Sequence, residues 1–68
     1  MKTVTATGQV IEALPATTFK IQLDGGREIL GHLAGKLRIH HIRILPGDRV
    51  IVEMASPEDR RGRIIRRL

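Results

Sequence analysis

Two turn signals divide this chain into strand-sized pieces and so limit what it can fold into. Residues 24–26 (Asp-Gly-Gly) and 46–48 (Pro-Gly-Asp) are its densest clusters of turn-forming residues. In residues 18–23, apolar side chains alternate with Lys and Gln, and residues 27–33 follow directly after the glycines. Two such segments joined by residues that tolerate a positive φ predict a β-hairpin.

The rest of the chain supplies three more short strands and one helix. An opening strand presents alternate residues from Val4 to Val10 on one face, and residues 13–17 are predicted to turn into the hairpin. Residues 48–54 and 62–68 are the fourth and fifth predicted strands, and a polar loop over residues 55–61 joins them. The segment that begins at Gly35 is the one plausible helix, and it should end before Leu45 because Pro46 biases that residue toward an extended conformation.

Five short strands with a helix between the third and the fourth follow the order of an OB-fold, a partly open Greek-key barrel. We therefore predict an all-β, five-stranded OB-fold barrel with one short helix between strands 3 and 4, forming a single domain over residues 1–68. An SH3-like barrel is the alternative, but that fold is not expected to have a helix between its third and fourth strands.

Three residues have predicted places within the strands. Gly8 and Gly31 fall inside strands, where the missing side chain suits a bulge or sharp coiling. Phe19 is in phase with Ile21 and Leu23, which favours a place in the core.

The positive charge is confined to the second half of the chain. The net charge is +5, yet residues 1–34 hold three cations and three acids, so the whole excess lies from Gly35 onward. Nine of the twelve cations are Arg, whose planar guanidinium can fork onto phosphate and stack on bases. Nucleic-acid phosphates are the partner that this pattern favours. A solvated basic surface that serves solubility is the alternative.

Several classes of protein are disfavoured. Cysteine is absent, which excludes disulfides and thiolate metal sites and fits a reducing cytoplasm. No stretch approaches the roughly 20 apolar residues that cross a bilayer, and the first residues do not resemble a signal peptide. We expect a cytoplasmic protein with no membrane partner.

Neither catalysis nor metal binding is indicated. Ser56 is the only serine and lacks a His or Asp pattern around it, while Glu58 and Asp59 lie in the polar loop. Adjacent His40 and His41 would diverge by about 100° on a helix, so they cannot share one ion, and His32 on a strand adds no recognised ligand spacing. We expect no catalytic residue, no cofactor, no metal and no enzymatic activity.

The helical segment has two sides on a helical wheel. Lys36, His40 and Arg43 group on the polar side, where we predict contact with RNA. The side chains predicted to face the barrel are Ala34, Leu37 and a partly buried His41, with Ile42 and Ile44 following in the connector.

Short motifs along the chain resemble the bacterial translation initiation factor 1 family. They are G-x-V-x-E-x-L-P at 8–15, T-x-F at 17–19, L-x-G-G at 23–26, G-K-L-R at 35–38, IRIL-x-GD at 42–48 and GRI at 62–64. Together they cover almost all of residues 8–67, in order and with their spacing intact.

This resemblance implies an OB-fold protein that binds the small ribosomal subunit at the decoding A site. There it would contact ribosomal RNA and an adjacent small-subunit protein, and it would assist initiation complex assembly with the other initiation factors. The family's RNA-contacting positions match Lys36, Arg38, Arg43 and Arg63, with Arg67 as a terminal match. We expect a monomer when the protein is free.

This chain differs from the family at residues 39–41, where a Lys and often a Tyr are usual, and at Arg66, where an aromatic is usual. We therefore predict that residues 1–68 form a single OB-fold RNA-binding domain. Its complete predicted RNA-binding set is Lys36, Arg38, His40, Arg43, Arg63, Arg66 and Arg67. A general single-stranded RNA-binding chaperone of the cold-shock type is the alternative function. Such OB-folds stack bases on aromatic side chains, and Phe19 is the only aromatic here. An interaction domain for an acidic protein is a third possibility.

Overall fold

A computed structural model describes residues 3–40 and 42–68 of the chain. Its elements, in chain order, are β1 (Val4–Leu14), β2 (Thr18–Leu23), β3 (Glu28–Leu33), α1 (Gly35–Ile39), β4 (Arg49–Met54) and β5 (Arg61–Arg67). The predicted order of five strands with one helix between the third and the fourth is confirmed.

The strands close into a barrel in the order β1-β2-β3-β5-β4, and β4 returns to pair with β1. Every pairing is antiparallel except that of β3 with β5. The predicted OB-fold barrel is therefore confirmed, and the SH3-like alternative is wrong.

The first strand is longer than predicted because it coils around the barrel and pairs with two neighbours. Its first half pairs with β4 and its second half with β2, and Ile11 forms a β-bulge between Val10 and Glu12. The bulge lets pairing with β2 continue to Leu14, so the turn occupies residues 15–17 and not the predicted 13–17.

Gly8 and Gly31 lie at close approaches of the barrel wall and not at its bulges. A Cβ on Gly8 would lie 2.7 Å from the carbonyl oxygen of Gln22, and one on Gly31 would lie 2.5 Å from Cδ1 of Ile21. At Gly8 the opposing atom belongs to the backbone of β2, so glycine is what allows the two strands to pass there. At Gly31 the opposing atom is the end of the Ile21 side chain, which would have to turn aside for a larger residue.

The core is built from side chains that alternate inward along the strands, together with Ile44 from the connector between α1 and β4. Its buried members are Val10, Phe19, Ile21, Ile29, Ile44, Val50, Val52, Met54 and Ile64. Phe19, the only aromatic, is 7% exposed, which confirms its predicted place in the core. The inner face of the barrel thus contains no polar or charged side chain among the described residues.

The short helix follows β3 and packs against β5. Leu37 and Ile42 pack against the core and Ile44 is buried within it, as predicted. The helix ends at Ile39, so Arg43 lies on the connector and its predicted place on the polar face of a helix is wrong. The predicted position of His41 lies outside the described residues. In residues 3–40 and 42–68, no helix is long and apolar enough to cross a membrane.

Candidate nucleic-acid interface

The cations of α1 flank the residue that anchors the helix. Leu37 is half-buried against the core, whereas Lys36, Arg38 and His40 are exposed. Successive residues on a helix are separated by about 100°, so Lys36 and Arg38 project to opposite sides of Leu37. Anchoring one apolar side chain therefore presents two cations on two separate surfaces.

Arg38 lines an open recess between the helix and the β1–β2 turn. We call it the turn recess; its lining residues are Ala16, Thr17, Leu33, Leu37, Arg38, Ile42 and Arg43. The Nη2 of Arg38 donates a hydrogen bond to the Oγ1 of Thr17, 2.9 Å away. Two guanidinium-bearing residues thus border a floor formed by half-buried aliphatic side chains.

Lys36 lines a second recess on the other side of the helix. We call it the strand recess; its lining residues are Ala34, Gly35, Lys36, Arg63 and Ile65. Arg63 also pairs across the β4–β5 ladder with Glu53, and its Nη2 lies 2.5 Å from Oε1 of that carboxylate. Half of the Arg63 side chain remains exposed, at 51%. The cation is therefore oriented by an acid and still accessible from the recess.

The last strand turns Arg66 to the surface by means of a bulge. Ile64 pairs with Val52 and Arg66 pairs with Ile51, so Ile65 is the extra residue on β5. Strict alternation after the buried Ile64 would have directed Arg66 inward, and the extra residue turns it outward. Arg67 donates from Nη1 to the carbonyl oxygen of Arg43, 2.8 Å away, which ties the end of β5 to the connector.

The structure brings five of the seven predicted RNA-binding residues together around α1. Lys36 shares the strand recess with Arg63, Arg38 shares the turn recess with Arg43, and Arg67 bonds to the backbone of Arg43. The other two, His40 and Arg66, are exposed but line neither recess.

Sequence reasoning missed two side chains that hold these cations. Glu53 belongs to an alternating strand and gives no sign in the sequence of its pairing with Arg63. Thr17 lies in a predicted turn, and only its proximity to Arg38 in the folded chain reveals its contact. A turn residue with a hydroxyl group is the one signal that could have pointed to it.

A third surface recess lies on the outer face of β2, β3 and β5, where no site was predicted. Thr18, Leu30, His32 and Arg61 line it with the backbone of Gly31. The pairing register explains the arrangement, because Thr18 is opposite His32, and Leu30 is opposite Arg61.

One strong cation pairing lies apart from both recesses around α1. Arg49 donates from Nη1 and Nη2 to the two carboxylate oxygens of Asp24, each at 2.9 Å. This hydrogen bonding, with the charge of Asp24, raises the pKa of Arg49 above its ordinary value. The pair connects the β2–β3 turn to the start of β4. It leaves Arg49 less free to bind a phosphate than Lys36 and Arg38, which pair with no carboxylate among the described residues.

The sequence and the structure of this chain are both similar to those of known translation initiation factors. The sequence matches the translation initiation factor 1A / IF-1 family over residues 2–68. The solution structure of translation initiation factor 1 from the Wolbachia endosymbiont strain TRS of Brugia malayi is similar, with a TM-score of 0.79 and 46% identity over 97% of this chain and 78% of that one. The crystal structure of YjeQ from Thermotoga maritima is also similar, with a TM-score of 0.74 and 27% identity over 96% of this chain but only 23% of that one.

The likeness to the Wolbachia factor covers most of both chains, whereas the likeness to YjeQ is confined to a small part of that longer protein. The matched family is one of translation initiation factors and not of enzymes in the usual sense. This family assignment agrees with the barrel, with the helix between its third and fourth strands, and with the motifs along residues 8–67. The chain therefore belongs to the translation initiation factor 1A / IF-1 family and is an OB-fold RNA-binding protein of translation initiation.

Proposed function

We propose that this protein binds the small ribosomal subunit at the decoding A site and assists assembly of the initiation complex. In this proposal the cations around α1 and β5 contact ribosomal RNA, and the protein also contacts an adjacent small-subunit protein and the other initiation factors. The RNA-contacting residues are Lys36, Arg38, His40, Arg43, Arg63, Arg66 and Arg67.

The observation that carries the proposal is the division of cations between two recesses on either side of one short helix. Lys36 and Arg63 line one recess, and Arg38 and Arg43 line the other. A phosphate backbone that crosses the helix would meet guanidinium or ammonium groups on both sides. Each phosphate that they neutralise releases condensed counterions, which is the main source of affinity that does not depend on sequence.

The cold-shock type of chaperone is a weaker candidate on physical grounds. Such proteins stack successive bases on aromatic side chains, and each stacked base contributes about 1–3 kcal/mol. The only aromatic in this chain is Phe19, which is buried in the barrel. Binding must therefore rely on guanidinium groups, phosphates and the shape of a folded RNA, which favours a structured ribosomal site over an unstructured strand.

An affinity measurement on charge variants tests the proposal. We expect the Lys36→Ala/Arg38→Ala double variant to bind purified small subunits more weakly than the wild type. The slope of log affinity against log salt should fall by about 1.5–2, because two phosphate contacts are lost. Arg63→Ala should lower the slope by about 1. The melting temperature of both variants should stay close to that of the wild type, since these side chains are exposed.

Arg60→Ala is the matched control, because Arg60 is an exposed arginine in the loop before β5 and lines neither recess around α1. It should bind subunits with almost the wild-type salt slope. The proposal fails if the interface variants bind like the control, or if they unfold while the binding of their folded fraction is unchanged. Equal affinity for an unstructured oligonucleotide and for the assembled subunit would favour the chaperone.

A further inference from the structure

The β1–β2 turn has an unusual backbone conformation beside Arg38. Ala16 has a φ of 62° and Thr17 a φ of 55°, so two consecutive residues that are not glycine adopt the left-handed region. A β-branched residue such as Thr rarely does so. Backbone of this kind persists only where the surroundings determine it, and it clusters at functional sites. Hairpin turns with a positive φ at both central residues are common, but Gly, Asn or Asp usually fills them. The feature that needs an explanation is therefore the presence of Ala and Thr at these two positions.

A short chain of hydrogen bonds connects this turn to the helix. Arg38 donates from Nη2 to the Oγ1 of Thr17 at 2.9 Å, and that hydroxyl donates in turn to the carbonyl oxygen of Ala16 at 2.6 Å. A hydroxyl has one proton and two lone pairs, so it can accept and donate at the same time. The hydroxyl of Thr17 therefore bridges the Arg38 guanidinium and the backbone of the turn.

Holding Arg38 in this way favours binding. A guanidinium carries five N–H donors, and the bond to Thr17 uses one of them, which leaves the others for a ligand in the turn recess. A long exposed side chain normally loses rotamer entropy when it binds, and one that is already held loses less. The apolar floor beside it belongs to Leu33, Leu37 and Ile42.

We propose that Thr17 is a positioning residue for RNA binding, whose hydroxyl fixes the Arg38 guanidinium over the turn recess for contact with ribosomal RNA. This inference rests on the proposed function, since it assigns to that function a residue that carries no charge. It predicts that removing one neutral oxygen from an exposed turn weakens binding as if part of the Arg38 contact had been lost.

The test compares three substitutions in small-subunit binding. Thr17→Val removes the hydroxyl at constant shape and should weaken binding about two- to tenfold, the range that one hydrogen bond of this kind gives. Thr17→Ser keeps the hydroxyl and should bind like the wild type. Thr18→Val is the matched control, because the Thr18 hydroxyl bonds at 3.5 Å to the Ala16 carbonyl and has no bond to Arg38 among the described residues. It should leave affinity unchanged.

The Arg38→Ala background separates positioning from a general structural effect. There Thr17→Val should cause no further loss of affinity, whereas an equal loss with and without Arg38 would overturn the proposal, as would wild-type binding by Thr17→Val. If Thr17→Val does not fold, Thr17→Ala takes its place with the same expected outcomes.

Nuclear magnetic resonance of the Arg38 guanidinium in the free protein distinguishes this inference from the proposed function. An ordered guanidinium in the wild type that becomes mobile in Thr17→Val supports the positioning role without any ribosome. If the guanidinium is equally mobile in both proteins, the positioning role is wrong. If the wild type does not bind subunits at all, the proposed function is wrong, whatever this measurement gives.

Discussion

Gly8→Ala should destabilise the barrel, because Gly8 is the point at which β1 passes from one neighbour to the other. Gly8 pairs with Leu23 of β2 and with Val50 of β4, and it is buried. An added Cβ would lie 2.7 Å from the carbonyl oxygen of Gln22 and 2.8 Å from Cγ2 of Ile21. The first of these atoms belongs to the backbone of β2, so the strand itself would have to move.

The size of the effect follows from two opposing contributions. Overpacking a core costs about 1–3 kcal/mol, and a contact with backbone lies toward the upper end of that range. Replacing glycine by alanine in a strand recovers about 0.5–1 kcal/mol of conformational entropy. The net loss is therefore about 2 kcal/mol, which corresponds to a melting temperature lower by about 8–16 °C in a domain of this size.

Thermal unfolding followed by circular dichroism measures this effect, with Gly35→Ala as the control. A Cβ on Gly35 would meet nothing within 4 Å, and the residue lies at the start of α1, where alanine favours the helix. The control should melt at the wild-type temperature or above it. If Gly8→Ala melts within about 2 °C of the wild type, the argument that β1 and β2 leave no room for a Cβ at residue 8 is wrong.

Three further predictions concern the turn, the strand recess and the core. Ala16→Gly should raise the melting temperature by a few degrees in a thermal scan, because glycine adopts the left-handed backbone of Ala16 without the cost of about 1–2 kcal/mol that alanine bears. Glu53→Gln should tighten small-subunit binding in an equilibrium titration, since it releases Arg63 for phosphate, and Glu58→Gln should have a smaller effect although it removes the same charge. Phe19→Leu should lower the free energy of unfolding by about 1–1.5 kcal/mol in a urea titration while leaving the affinity of the folded protein for subunits unchanged, because the ring packs in the core.

The sequence predicts the barrel well where alternation is strict and turn chemistry is clear. Phe19 and Ile21 alternate with polar residues, and the glycines at 25 and 26 close the hairpin, so β2 and β3 appear within one residue of their predicted bounds. The burial of one face fixes the pairing register of such strands, because a shift of one residue would expose every apolar side chain.

The bulges explain where the prediction is less accurate. Ile11 and Ile65 are each the extra residue in a pair of strands, and each reverses the alternation that follows it. Each follows another β-branched apolar residue, Val10 or Ile64, and such a doublet does not indicate which of its two members faces the core. The end of β1 and the outward direction of Arg66 depend on long-range pairing that one sequence does not reveal.

The sequence predicted which cations form the candidate site but not how they are arranged. The charge pattern and the family motifs point to Lys36, Arg38, Arg43 and Arg63 from the sequence alone. A helical wheel nevertheless placed Arg43 on the helix, and α1 ends at Ile39, so the turn recess arises from tertiary packing. The two side chains that hold Arg38 and Arg63 are far from them in the sequence and could not be found from spacing.

Chemical footprinting of ribosomal RNA tests the central claim most directly, with the wild-type protein bound to purified small subunits at two salt concentrations. The account predicts protection confined to the decoding region, and this protection should weaken as salt rises because the contacts are to phosphates. Protection outside that region would contradict the account, as would binding that does not respond to salt.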